Sequence, residues 1–163
     1  MEQVGVVGSG IMGAGIAEVA ARSGCDVVVR EVTAELADAG RARIAASLER
    51  AVTRGKLAAA DRDATLARIR TTTSLDDLAD RDLVIEAVVE NEQTKTALYR
   101  ELSAIVRPDC VLASNTSSIP ISRLAAAAQG PERVLGMHFF NPVPVLPLVE
   151  LVPSLRTGQS TVD

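Results

Sequence analysis

The sequence predicts an α/β domain: a doubly wound, mostly parallel sheet with a helical arm inserted after the second strand. Three observations carry that expectation. Short β-branched runs alternate with alanine-rich stretches of helical period, the pattern of strands buried on both faces by helices. The first such run leads straight into a glycine-rich turn, Gly8-Ser9-Gly10-Ile11-Met12-Gly13. The 163 residues are 47% hydrophobic and 23% charged, enough to bury a sizeable core and too apolar for a disordered chain.

The elements follow in order. Residues 4–7 form the first strand, and a helix after the glycines carries Ile16, Val19 and Ala20 before Gly24 stops it. Residues 27–29 are the second strand. Residues 32–70 keep helical period through Leu36, Ile44, Leu48, Leu66 and Ile69, with a break near Gly55 and a restart at Asp61. They read as two helices forming an arm; a solvated Arg/Ala-rich helix pair fits the same pattern. Residues 83–85, 111–113 and 134–137 are further strands. Ala97, Leu98, Leu102 and Ile105 mark an amphipathic helix between Asn91 and Val106, ended by Pro108. Pro120 suits the first turn of a short helix through Leu124. Residues 1–152 are expected to form one domain. Residues 153–163 carry few apolar side chains, and Ser160 could cap a helix that has no length to form. That stretch reads as the start of a truncated connection.

Composition excludes several function classes. Seventeen basic and 21 acidic residues give a net charge of −4, and there is no Trp, one Tyr and two Phe. A nucleic-acid binder needs a basic excess and stacking aromatics, so nucleic-acid partners are not expected. No apolar run approaches the roughly 18 residues of a membrane span. Met1 and Glu2 lead directly into a strand, leaving no room for a signal peptide, so a cytoplasmic protein is expected. Cys25 and Cys110 lack C-x-x-C spacing and read as reduced core residues. No metal site is expected.

The glycine turn carries the first chemical reading. Gly8 allows a tight turn, Gly10 lets a pyrophosphate approach the backbone, and Gly13 allows close helix–strand packing. The motif follows a strand, opens a helix and is followed by an acidic residue at the next strand's end, Glu31, 23 residues after Gly8. This is a Rossmann-type dinucleotide site; a purely structural turn is the bland alternative. A carboxylate at Glu31 accepts from both ribose hydroxyls and repels a 2′-phosphate. Arg30 could hold that phosphate, but strand alternation sends it to the other face, so NAD is favoured over NADP.

Four further places on the same sheet edge carry candidate chemistry. Glu86 and Glu90 lie where a strand ends, as solvated loop residues or as site carboxylates. The run Ser114-Asn115-Thr116-Ser117-Ser118 could hydrogen-bond a bound oxygen or cap the next helix. His138 is the only histidine and ends a strand. If the chain folds back through Asn141-Pro142-Val143-Pro144, Glu150 falls opposite His138, with Cβ atoms about 5 Å apart. Pro147 argues against a regular ladder there. A carboxylate so placed would fix the imidazole tautomer, as a general base requires. Histidine and carboxylate beside a nicotinamide site suggest alcohol oxidation.

The runs G-S-G-I-M-G-A-G-I-A, E-A-V-V-E-N, S-N-T-S-S and G-M-H-F-F-N-P-V-P-V resemble the L-3-hydroxyacyl-CoA dehydrogenases, especially bacterial 3-hydroxybutyryl-CoA dehydrogenases. The resemblance covers nearly all residues. It implies that His138 is the catalytic base, Glu150 the carboxylate orienting it, and Ser117 a contact to substrate oxygen and cofactor. It implies that Glu90, Lys95, Asn115 and Asn141 touch NAD, beside Gly8, Ser9, Gly10, Ile11, Met12, Gly13 and Glu31 in the cofactor loop. It implies that Ser47 binds coenzyme A. Arg54 stands where the family often has lysine, keeping the charge but changing its geometry. The family's second, all-helical domain contributes an active-site asparagine and most of a dimer interface; this chain stops before it. The expected reaction is NAD-dependent oxidation of a 3-hydroxyacyl-CoA to the 3-ketoacyl-CoA, with a homodimeric parent and this chain alone inactive. A sugar-acid dehydrogenase of the gulonate type and a non-catalytic NAD-binding module are the alternatives.

Overall fold

A computed structural model describes residues 2–163. One seven-stranded sheet organises the chain in the order β3-β2-β1-β4-β5-β6-β7. The strands are β1 (Gln3–Val7), β2 (Asp26–Arg30), β3 (Ile69–Thr72), β4 (Leu83–Glu86), β5 (Val111–Ser114), β6 (Val134–Phe139) and β7 (Val149–Pro153). All neighbours pair in parallel except β6 and β7. The helices are α1 (Ile11–Arg22), α2 (Ala34–Thr53), α3 (Ala59–Ala67), α4 (Glu92–Ile105), α5 (Ile121–Ala127) and α6 (Gln159–Val162).

Strand alternation builds a core on each face. Val4, Val6, Val27, Val29 and Ile85 point to one side, where Ile16 and Ala17 of α1 and Ile44 and Leu48 of α2 cover them. Val7, Val28 and Val84 point to the other, against Leu98, Tyr99 and Leu102 of α4 and Leu124 of α5. The order reverses between β1 and β4: the chain runs outward through β2 and β3, then returns beside β1. That switch point opens a crevice at the carboxyl ends of the strands, where such sheets bind ligands.

Three expectations need correction. Ile69 is not helical: α3 ends at Ala67 and Ile69 opens β3, an edge strand paired with β2. Pro147 does not disturb the last ladder, because it precedes β7, which pairs regularly from Leu135↔Pro153 to Phe139↔Val149. Ser160 caps nothing; it lies inside the single turn of α6, with Gly158 at the cap position. Residues 157–161 lie against the start of β6. Gly158 N donates to Glu132 O at 2.7 Å and Thr157 Oγ1 to Val134 O at 2.7 Å.

Cys25 and Cys110 are both free thiols. Burial pushes the Cys110 thiol up to about 11. Among the described residues no helix is long and apolar enough to cross a membrane. No group of three or more His, Cys, Asp or Glu there could hold a metal ion.

Candidate active site

The crevice begins with the glycine loop. Gly8 has φ +94°, and a Cβ there would lie 2.7 Å from Ala87 O. A Cβ on Gly13 would lie 1.9 Å from Gly8 O, so helix and loop touch only because none exists. Around Gly10 the opposite holds: nothing lies within 4 Å of a Cβ's place. Helix α1 starts there without a side-chain cap or a first-turn acid, whereas Thr33 caps α2 and Asn91 caps α4. Uncapped amides beside open space at a helix N-terminus make an anion site.

Glu31 follows β2 and turns toward this loop. Its Oε1 accepts from Ser9 N at 2.5 Å and Ser9 Oγ at 3.0 Å, and its Oε2 from Val32 N at 3.2 Å. Arg30 turns away, donating from Nε to Thr73 O at 3.2 Å. Arg43 of α2, which sequence reasoning did not single out, donates to Ser9 O at 2.6 Å and braces the loop. An open amide cradle with a carboxylate at the neighbouring strand end fits the pyrophosphate and adenosine ribose of a dinucleotide.

A second locus lies farther along the crevice. A cleft of about 390 Å³ is lined by Met12, Glu90, Lys95, Asn115, Ser117, His138 and Asn141, with Ala87, Val88, Phe139 and Phe140 between them. Register carries the histidine and its partner together. His138 pairs with Glu150 across β6 and β7, and Nδ1 lies 2.9 Å from Glu150 Oε2. Phe140 packs edge-on against the imidazole, ring centroids 4.6 Å apart. Asn115 Oδ1 accepts from Phe139 N at 2.9 Å, tying the end of β5 to that of β6. Ser117 is exposed on the cleft wall.

Beneath this cleft lies a polar cluster whose members the sequence marks singly but does not join. Glu86, at the end of β4, is 1% exposed. Its Oε1 accepts from Val88 N at 2.7 Å and Lys95 Nζ at 2.6 Å, and its Oε2 from Ser114 Oγ at 2.7 Å. Lys95 also reaches Glu90 Oε2 at 3.1 Å. Glu90 Oε1 accepts from Thr116 Oγ1 and from Ser118 Oγ at 3.0 Å. Burial would raise the Glu90 carboxyl; the Thr116 and Lys95 hydrogen bonds and the Lys95 charge more than offset it and hold it below its ordinary value. Burial, then the Glu86 charge, pushes the enclosed Tyr99 phenol well above its usual range.

Not every candidate joins these two loci. Ser47 is half-buried on α2 and Arg54 is exposed just beyond its end; neither lines the His138 cleft. Ser47 instead lies near the buried Glu18 of α1, whose carboxyl burial raises above its ordinary value, with Ser47, Arg22 and Arg50 offsetting only part of the rise.

A doubly wound sheet with an open amide cradle, a carboxylate at the neighbouring strand end and a histidine–carboxylate pair on one sheet edge is the architecture of a dinucleotide-binding domain of an oxidoreductase. The chain belongs to the 3-hydroxyacyl-CoA dehydrogenase NAD-binding domain family, whose model matches residues 3–163. NAD is therefore its cofactor. A 3-hydroxybutyryl-CoA dehydrogenase of Mycobacterium tuberculosis is 58% identical over 161 residues, covering 98% of this chain and 56% of the relative. The crystal structure of (S)-3-hydroxybutyryl-CoA dehydrogenase from Ralstonia eutropha matches with a TM-score of 0.96 at 45% identity. It covers 99% of this chain and 57% of that one. A 3-hydroxyadipyl-CoA dehydrogenase of Escherichia coli is 46% identical over all 163 residues and 34% of its own length. The chain thus spans about half the length of the 3-hydroxybutyryl-CoA dehydrogenases it matches.

Proposed function

We propose that the chain is the NAD-binding part of a dehydrogenase that reversibly oxidises a short-chain 3-hydroxyacyl-CoA, such as 3-hydroxybutyryl-CoA, to the 3-ketoacyl-CoA. The observation that carries this reading is the His138 Nδ1 to Glu150 Oε2 contact of 2.9 Å, beside a cleft that Met12, in the first turn after the glycine loop, also lines. Glu150 accepts the Nδ1 proton, which leaves Nε2 as the basic nitrogen. His138 Nε2 takes the substrate hydroxyl proton, and Glu150 stabilises the imidazolium that forms. NAD bound in the cradle would supply the acceptor for the hydride leaving the carbon that bears that hydroxyl. Ser117 donates to the substrate oxygen. Asn115, Asn141, Glu90 and Lys95 hold the nicotinamide end, and the amides of residues 10–13 hold the pyrophosphate. Glu31 selects NAD by accepting from the ribose hydroxyls and repelling a 2′-phosphate.

The names of the relatives support an acyl-CoA substrate, with Ser47 and Arg54 as contacts to coenzyme A. Residues 1–152 form the cofactor domain, and the active protein is a cytoplasmic homodimer with no nucleic-acid or membrane partner. Calorimetric titration of the chain with NAD and NADP tests the cofactor reading: NAD should bind at least tenfold more tightly, and equal affinity overturns the role of Glu31. NADH oxidation by the active protein, offered acetoacetyl-CoA or the keto acid derived from gulonate, tests the substrate class. Turnover of the sugar acid alone would sink the acyl-CoA reading.

A further inference from the structure

We infer that Glu86, which does not line the cleft, is a positioning residue that tunes the site toward the oxidised cofactor. The inference rests on the reading above, in which the nicotinamide end of NAD lies beside His138. Glu86 is sealed in the core, and each of its close contacts is a donor: Val88 N, Lys95 Nζ and Ser114 Oγ. That is the arrangement an ionised carboxylate needs. Its ammonium partner is itself 1% exposed and stands in the cleft wall. On the far side Lys95 meets Glu90, which in turn holds the hydroxyls of Thr116 and Ser118.

Two consequences follow. The three charges run minus, plus, minus, so the wall carries a net negative charge where a lone Lys95 with one carboxylate would be neutral. The same three side chains link β4 and α4 to the 115–118 loop that bears Asn115 and Ser117. The nicotinamide ring is cationic in NAD+ and neutral in NADH, whereas both forms share every phosphate and hydroxyl. A net negative wall therefore favours NAD+ specifically, while loss of loop order would weaken both forms alike. A buried charge one residue behind the cleft acts through an effective dielectric of about 20, strong enough for a shift on the order of tenfold.

The test is the ratio of NAD+ to NADH affinity, measured on the purified chain by calorimetry and NADH fluorescence. Glu86→Gln keeps the shape and removes the charge. It should weaken NAD+ about tenfold, or about 1.4 kcal/mol, and NADH by less than threefold. Equal weakening of both forms, or no change in either, overturns the inference. Circular dichroism establishes whether the variant folds. If it does not, Glu90→Gln removes the same charge from the partly exposed end of the triad and decides the matter by the same ratio. The double variant E86Q/K95M loses the Lys95 contact and should bind both forms more weakly, but it leaves Glu90 as the only charge, so the ratio of the two affinities should return to the wild-type value; a ratio like that of Glu86→Gln would show that charge is not the cause. Failure of the unmodified chain to bind either form would reject the functional reading itself.

Discussion

Single side chains in this fold divide into those that face the crevice and those that hold the frame, and substitution separates them. His138→Gln in the active dehydrogenase should lower kcat by about 10²–10⁴-fold, the usual cost of a lost general base, with NAD affinity nearly unchanged. Glu150→Gln should cost less, because the imidazole remains but is poorly oriented; stopped-flow NADH absorbance reads both. A His138 variant keeping half its turnover would make the imidazole structural. Asp82 belongs to the frame. The Gln3 and Glu2 amides, then Arg107, hold its carboxyl at about 2, below the ordinary value of about 3.9. A depressed folded pKa contributes stability that is present above the unfolded value and lost as pH falls through the folded one. Urea midpoints of the wild type should therefore drop between about pH 4 and pH 2. Asp82→Asn should be less stable at pH 7 by about 1 kcal/mol, a figure discounted for partial exposure, and should lose less over that interval. Residue roles were unevenly legible. His138 and Glu150 could be placed opposite each other because a turn lay midway between them. The ion pair of Glu86 and Lys95 could not, since each stood as a separate candidate and nothing in their spacing says that packing encloses the two together.

At the level of elements, the glycine loop and α1 form one unit whose glycines have distinct duties. Gly13→Ala puts a methyl 1.9 Å from Gly8 O and must drive loop and helix apart. Overpacking of this kind costs about 1–3 kcal/mol or more, visible as a lower melting temperature. Gly10→Ala meets nothing within 4 Å at a φ of −59°, so its melting should match the wild type while NAD affinity collapses. A Gly10→Ala protein that binds NAD normally would show that the pyrophosphate does not approach there. Strong local signals explain which elements were readable in advance. β1, β2 and β4 are short apolar runs bounded by breaks, and α4 has a cap at Asn91 and a stripe of Leu98 and Leu102. β3 escaped because, at a sheet edge, only Ile69 of its Ile-Arg-Thr-Thr is buried, with Arg70 exposed and the two threonines half-buried. One residue, Arg68, separates it from α3, so the period running from Leu66 to Ile69 imitated a longer helix.

Across the whole molecule, the two cores are closed and the last strand is not. All five residues of β7 are exposed, and Val145, Leu146, Leu148, Val149, Leu151, Val152 and Leu155 form an apolar margin. A margin of this kind promotes association. Sedimentation velocity should show the sedimentation coefficient of this chain rising with concentration, and Leu151→Lys should suppress the rise while leaving the fold intact. The β6–β7 ladder has one more implication, for the lengths that related sequences can adopt. His138 and Glu150 face each other through paired strands, and side chains alternate faces at every residue. The stretch between Asn141 and Leu148 can therefore gain or lose residues while the pair survives, provided the ladder re-forms in place. A single residue inserted within 149–150 would turn the carboxylate to the opposite face with every other residue unchanged. Drift in length should accumulate in the turn and be excluded from the two strands.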